Sequence, residues 1–148
     1  LQSPAVSPEA LDVLARAIKG SKLNGGYLTT NVGEVKDRDL IALTADFLLK
    51  REGVMTAFAY GICGDAVYAS ARTNDVSLHL GQLLKEAFVP FGSAGGHARM
   101  AGATISLKAF AKVSKRALKA EIDSKVGRRF LEVIGVVKPR AKRKRAKH

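Results

Sequence analysis

Tyr68-Ala69-Ser70-Ala71-Arg72 sets a hydroxyl and a guanidinium two residues apart. In an extended strand alternate side chains share a side, so Tyr68, Ser70 and Arg72 fall on one face and Val67, Ala69 and Ala71 on the other. Ser70 and Arg72 then stand roughly 6–7 Å apart, twice the rise per residue. At that distance they are able to grip one phosphate between them, the guanidinium supplying a fork of donors and the hydroxyl one more. Taken alone, these five residues read better as the polar face of an ordinary strand.

A second stretch changes the weighting. Phe91–Gly102 holds four glycines and three alanines in twelve residues. Such a composition predicts a loop whose backbone approaches a ligand closely and whose successive N–H groups form an anion-binding nest. His97 follows Gly95-Gly96 directly and would face whatever that loop cradles. The stretch has neither the Gly-Lys-Ser/Thr of a phosphate-binding P-loop nor the spacing of a dinucleotide fingerprint.

These residues need elements to position them. Ser7-Pro8-Glu9 is a helix start, with Leu11, Leu14 and Ile18 as its apolar face and Gly20 as its stop. Asn24-Gly25-Gly26 marks a turn before a strand over Tyr27–Val32. Asp37 is placed to cap a second helix, whose Ile41, Ala45, Leu48 and Leu49 recur at helical spacing until Gly53. A strand over Val54–Tyr60, a turn over Gly61–Asp65 and a return strand over Ala66–Arg72 form a hairpin. Leu80, Leu83, Leu84, Ala87 and Phe88 predict a third helix from about Ser77 to Phe88. Ala103–Ser106 reads as a last strand, and Lys108–Leu131 as one basic amphipathic helix carrying Phe110, Val113, Ala117, Leu118, Ile122 and Val126. The fold class is therefore α/β: a small mixed β-sheet flanked by helices, ending in a basic helix and a disordered tail. Residues 1–137 form the expected domain and residues 138–148 the tail.

Together, Ser70-x-Arg72, a helix ending at Phe88, and Ala94-Gly95-Gly96-His97-x-x-Met100-Ala101-Gly102 resemble the C-terminal associated domain of the DHH phosphoesterases. That superfamily includes RecJ-type exonucleases, oligoribonucleases, cyclic-dinucleotide phosphodiesterases and exopolyphosphatases. The resemblance spans about Tyr27–Ile105 and departs from the family's Gly-Gly-Gly-His-x-x-Ala-Ala-Gly at Ala94 and Met100. It implies that Arg72 and His97 contact substrate phosphates, with Ser70 in the same cluster. Gly95 and Gly96 would give backbone room and N–H donors. In that family an N-terminal domain carries the Asp-His-His motif and the ligands for manganese, and hydrolysis occurs in the cleft between the two domains. The histidines here are His79, His97 and His148, and no Asp-His-His occurs. The expectation is a C-terminal piece of a longer phosphoesterase, with no cofactor of its own and inactive alone. Its partners would be an upstream DHH domain and a short single-stranded nucleic acid or phosphorylated nucleotide.

Charge adds a separate signal. The chain has 148 residues and a net charge of +12. Residues 1–107 hold ten basic and ten acidic side chains, so residues 108–148 carry the whole surplus. Lys138, Arg140, Lys142, Arg143, Lys144 and Arg145 crowd the tail with no acid among them, a pattern that favours contact with a polyanion. Two other readings compete. One is a standalone RNA- or DNA-binding module without turnover. The other is the related C-terminal domain of alanyl-tRNA synthetases, which carries Arg where His97 stands. One cysteine, Cys63, excludes an intrachain disulfide framework. With no signal peptide and no apolar run near the roughly 20 residues of a membrane span, the expected location is the cytoplasm, away from membranes.

Overall fold

The computed structural model describes residues 5–139. Six strands form one sheet in the order β1-β2-β3-β4-β6-β5. They are β1 (Lys22–Asn24), β2 (Tyr27–Glu34), β3 (Thr56–Cys63), β4 (Ala66–Thr73), β5 (Ser93–Gly96) and β6 (Met100–Ser106). Only β2 and β3 run parallel. They need a crossover, which helix α2 (Asp39–Leu48) supplies. The mixed sheet follows from this one crossover set among hairpins, as the alternation of elements predicts. Gly25 at φ +61° and Gly64 at φ +63° turn the two tight hairpins, where a side chain would strain the backbone.

Helices cover the two faces unequally. Helix α1 (Pro8–Lys19) and α2 lie on one face, where Val13, Ala17, Ile41, Ala45 and Leu48 pack on Leu28, Val32, Ala57 and Ala59. Helix α3 (Leu80–Phe88) and a C-terminal helical segment cover the other. That segment is α4 (Lys115–Ile122), a π-helical turn (Asp123–Arg128) and α5 (Arg129–Ile134). Here Phe58 is stacked between Phe130, with centroids 4.1 Å apart, and Phe88, at 6.0 Å. All three rings are buried, and burial of this kind is the main favourable term in folding.

The π turn has a visible cause. Gly127 passes so close to the Tyr60 ring and hydroxyl that a Cβ there would overlap them. The Tyr60 hydroxyl donates to Asp123 Oδ1 at 2.8 Å, and Asn31 Nδ2 donates to the same oxygen at 2.9 Å. Burial pushes the Tyr60 phenol well above its ordinary value near 10, and the Asp123 carboxylate adds to the shift. This network ties β2 and β3 to the C-terminal segment.

Three expectations are corrected. The outward side of α1, not the inward one, carries Leu11 and Ile18, which are 56% and 52% exposed, while Ala10, Val13 and Ala17 face the sheet. The helix sits so close to β2 that the Thr30 hydroxyl reaches the Ala17 carbonyl at 2.7 Å, an approach that suits small side chains. The basic helix starts at Lys115 rather than Lys108, because two serines open separate turns. Ser106 accepts the Lys108 N–H before a short 3₁₀ turn (Leu107–Ala109), and Ser114 accepts the Ala117 N–H at the start of α4. Phe110 is buried outside any helix and Val113 is 46% exposed. Finally, the glycine-rich stretch is no loop: it is the β5/β6 hairpin.

Candidate functional site

Strand β4 alternates as its sequence predicts. Val67, Ala69 and Ala71 are buried beneath α3, and Tyr68, Ser70 and Arg72 are half-buried on the α2 side. Sheet register then decides what stands beside them. Ser70 pairs with Gly102 and Gly102 with Gly95, so one row across three strands carries a single hydroxyl and no other side chain. Helix α2 ends its coverage at β4, leaving β6 and β5 bare on this side. The result is an open shelf with a cleft of about 430 Å³, floored by Ser70, Gly95 and Gly102 and walled by Asp39 and Ala42 of α2 and by Arg38 just before it.

The next row along the strands is Arg72 and Met100, and it reaches His97 through the His97 N–H donated to the Met100 carbonyl at 2.7 Å. Arg72 and His97 thus share a row, their backbones about 10 Å apart across two strand spacings. Met100 lies between them, 51% exposed. Arg72 is largely committed already: Nε donates to Asp46 Oδ1 at 2.7 Å and Nη1 to the Ala71 carbonyl at 2.9 Å. Its side chain is only 12% exposed. Asp46 therefore fixes the guanidinium in place, and Nη2 finds no partner among the described residues. His97 is exposed.

The hairpin modifies the expected roles of the glycines. Since His97 bonds Met100, ladder alternation directs the Gly95 N–H into the sheet and leaves only Ala94 and Gly96 with N–H groups toward the open edge. A nest of successive free donors is therefore absent over this stretch. Gly96 has a backbone reason to be glycine: its φ is +144°, and a Cβ there would stand 2.6 Å from Ala101 Cα. Gly95 has none, because its Cβ would meet only Lys85 Cε, at 3.6 Å. Its missing side chain keeps the cleft open. Helix α3 anchors the turn, its Leu80 and Gly81 N–H groups donating to the Ala98 and His97 carbonyls.

The tertiary structure adds residues that no local pattern singles out. Arg38 lies over the Tyr68 ring, 5.4 Å from its centroid, and Asp46 holds Arg72. Arg38 immediately precedes α2 and Asp46 lies within it, and Asp39, Ala42 and Asp46 recur there at helical spacing as a small and polar stripe. That stripe is the signal available in sequence. Lys85 brings a cation to the outer edge beside Gly95. Of the tail residues, Lys138 is exposed and its carbonyl accepts from Arg128 Nη2 at 3.1 Å. Arg140, Lys142, Arg143, Lys144 and Arg145 lie outside the described residues. Among the described residues no three His, Cys, Asp or Glu side chains gather closely enough to hold a metal ion.

Residues 24–123 match the family model of the DHHA1 domain. The chain belongs to the DHHA1 family. The match runs from β1 to the start of the π turn and includes the whole shelf. An uncharacterized protein of Methanocaldococcus jannaschii is 41% identical over 138 residues, which cover 92% of this chain and 28% of that protein. The DHHA1 fold recurs in an exopolyphosphatase-related protein from Bacteroides fragilis, at 10% identity and a TM-score of 0.55, over 88% of this chain and 37% of that one. It recurs also in RecJ from Thermus thermophilus, solved with Mg²⁺, at 13% identity and a TM-score of 0.50, over 81% and 18%. This DHHA1 chain therefore spans well under two thirds of the length of each. No helix among its described residues is long and apolar enough to cross a membrane.

Proposed function

We propose that this DHHA1 domain holds the phosphate of a short single-stranded nucleic acid or a phosphorylated nucleotide on the shelf, while an upstream DHH domain in the same polypeptide hydrolyses it. The observation that carries this reading is the bare half of the sheet. A row of Ser70, Gly102 and Gly95 admits a ligand to the backbone, with Arg38 on the wall of the cleft and Arg72 in the next row along β4. Arg72 is held by Asp46 with one terminal nitrogen left for a phosphate oxygen, the geometry of a charge-assisted hydrogen bond. His97, in the same row as Arg72, would meet the same group or a neighbouring one.

Hydrolysis on paired metal ions needs several carboxylates or imidazoles converging on one point. The described residues of this domain make no such set, so the reading assigns manganese to the upstream domain and binding to this one. It also locates the protein in the cytoplasm, where a lone thiol at Cys63 stays reduced.

Calorimetric titration of the chain with a nucleoside monophosphate and with a short oligonucleotide tests it. Arg72→Ala and His97→Ala are each expected to weaken binding by about 1–3 kcal/mol. Unchanged affinity in both variants would remove the site. Manganese-dependent turnover by this chain alone would overturn the division of labour.

A further inference from the structure

A second concave surface lies away from the shelf, along the outer edge of the sheet. Two hollows of about 400 and 380 Å³ run between α1, β1 and the C-terminal segment and share Lys22, Thr29, Tyr60 and Asp123. Their walls carry Arg16 and Lys19 from α1, Lys22 from β1, Lys119 from α4 and Arg128 from the π turn. The one carboxylate lining them, Asp123, is occupied by Asn31, Tyr60 and Lys119. Lys19 and Lys22 are exposed and make no ion pair among the described residues. We propose that this groove is a second polyanion site, which binds the sugar–phosphate backbone of a single-stranded nucleic acid.

Charge segregation is the first support. Residues 1–107 are neutral as a whole, yet in space Lys19 and Lys22 line this groove, whereas Glu9, Asp12 and Glu34 line a neighbouring hollow together with Lys36, and Arg16 stands between the two. Cations on both walls of a groove track a chain of phosphates, and releasing its counterions supplies the affinity. The second support is continuity. Arg128 Nη2 pins the Lys138 carbonyl where Val137 lines the lower hollow. The chain thus passes this end of the groove just before a sequence with six more Lys and Arg after Lys138. A membrane surface fits less well, because Thr29, Thr30 and Asn31 line the concavity. Arg16, Lys19, Lys22 and Arg128 lie outside the stretch that matches the DHHA1 family model, and Lys119 lies inside it; no residue of the groove lines the cleft on the shelf, so the two sites are separate.

The test uses the full chain, a dye-labelled single strand of about 15 nucleotides, and a nucleoside monophosphate as the shelf's own probe. Lys22→Glu with Lys119→Glu is expected to weaken strand binding at least tenfold. Lys19→Gln with Lys22→Gln should flatten the log–log salt dependence by about 0.7 for each phosphate no longer neutralised. Monophosphate affinity should stay unchanged in both, while Arg72→Ala should lower it, so the two sites fail separately. Strand protection of Lys22 and Lys119 from acetylation, with the exposed Lys36 unprotected, gives a readout that needs no variant. Unaltered strand affinity and salt slope in folded variants would overturn the proposal. So would capture of anionic vesicles through these lysines without any binding of the strand.

Discussion

The face of the sheet beneath α3 and the C-terminal segment is closed from β2 to β5, whereas the face beneath α1 and α2 is closed only as far as β4. The same strands serve both. On the closed side β4 presents Val67, Ala69 and Ala71 to a core of stacked phenylalanines, and on the open side Tyr68 and Ser70 to a cleft, with Arg72 beside it on Asp46. Beyond β4 the contrast sharpens: β6 sends Ala101, Ala103 and Ile105 inward, but Met100, Gly102 and Thr104 outward. One side of β4 and of β6 thus stabilises the fold through contact area. The other leaves backbone and a few polar groups accessible, which is what a charged ligand requires. A packed face tolerates almost no loss of volume, while an open face tolerates a loss of side chain and depends on charge instead.

The largest expected effect comes from breaking the closed side. Phe58→Ala removes the ring between Phe88 and Phe130 and should cost about 3–5 kcal/mol in urea unfolding. Next, Tyr60→Phe deletes one donor to Asp123 and should cost about 1–3 kcal/mol, through an acceptor left short of a partner. It carries a pH signature as well. The folded state raises the Tyr60 pKa, so the contribution is complete below the unfolded value near 10 and is lost as pH climbs above it. The variant should lack that alkaline loss, and equal decline in both proteins would break the assignment. On the open side, Asp46→Asn should leave stability nearly unchanged, because a half-exposed ion pair contributes at most about 1 kcal/mol. It should nonetheless alter nucleotide affinity, by loosening Arg72. The smallest effect on the fold is expected from Gly95→Ala, whose added methyl meets only Lys85. Unfolding should stay within about 0.5 kcal/mol of the parent, while binding in the cleft weakens. A stability loss without a binding loss would reverse the comparison at this residue.

Much of this is written in the chain. Leu80, Leu84, Ala87 and Phe88 are spaced for a helix and form one, and the period-2 pattern of Val67–Arg72 fixes which of its residues face the cleft. The reading failed where a second element set the outcome. Leu11, Leu14 and Ile18 are helically spaced, but so are Ala10, Val13 and Ala17, and the close approach of α1 to β2 selected the smaller set. Phe91–Gly102 has the composition of a loop, yet it pairs as strands because β4 and α3 offer it an edge and a cap.

By itself, then, the sequence determined the three helices before Val89, the central hairpin, the polar face of β4, the glycine–histidine motif and the family. Each is encoded over a short span, where periodicity and backbone preference act locally. Only the tertiary structure decided that Gly95, Gly102 and Ser70 form one row, that Asp46 holds Arg72, and that Lys22 and Lys119 face each other across a groove. Those relations join residues up to ninety-seven positions apart. Strand register and helix placement set them, and both are chosen by packing the whole sheet rather than by any one segment.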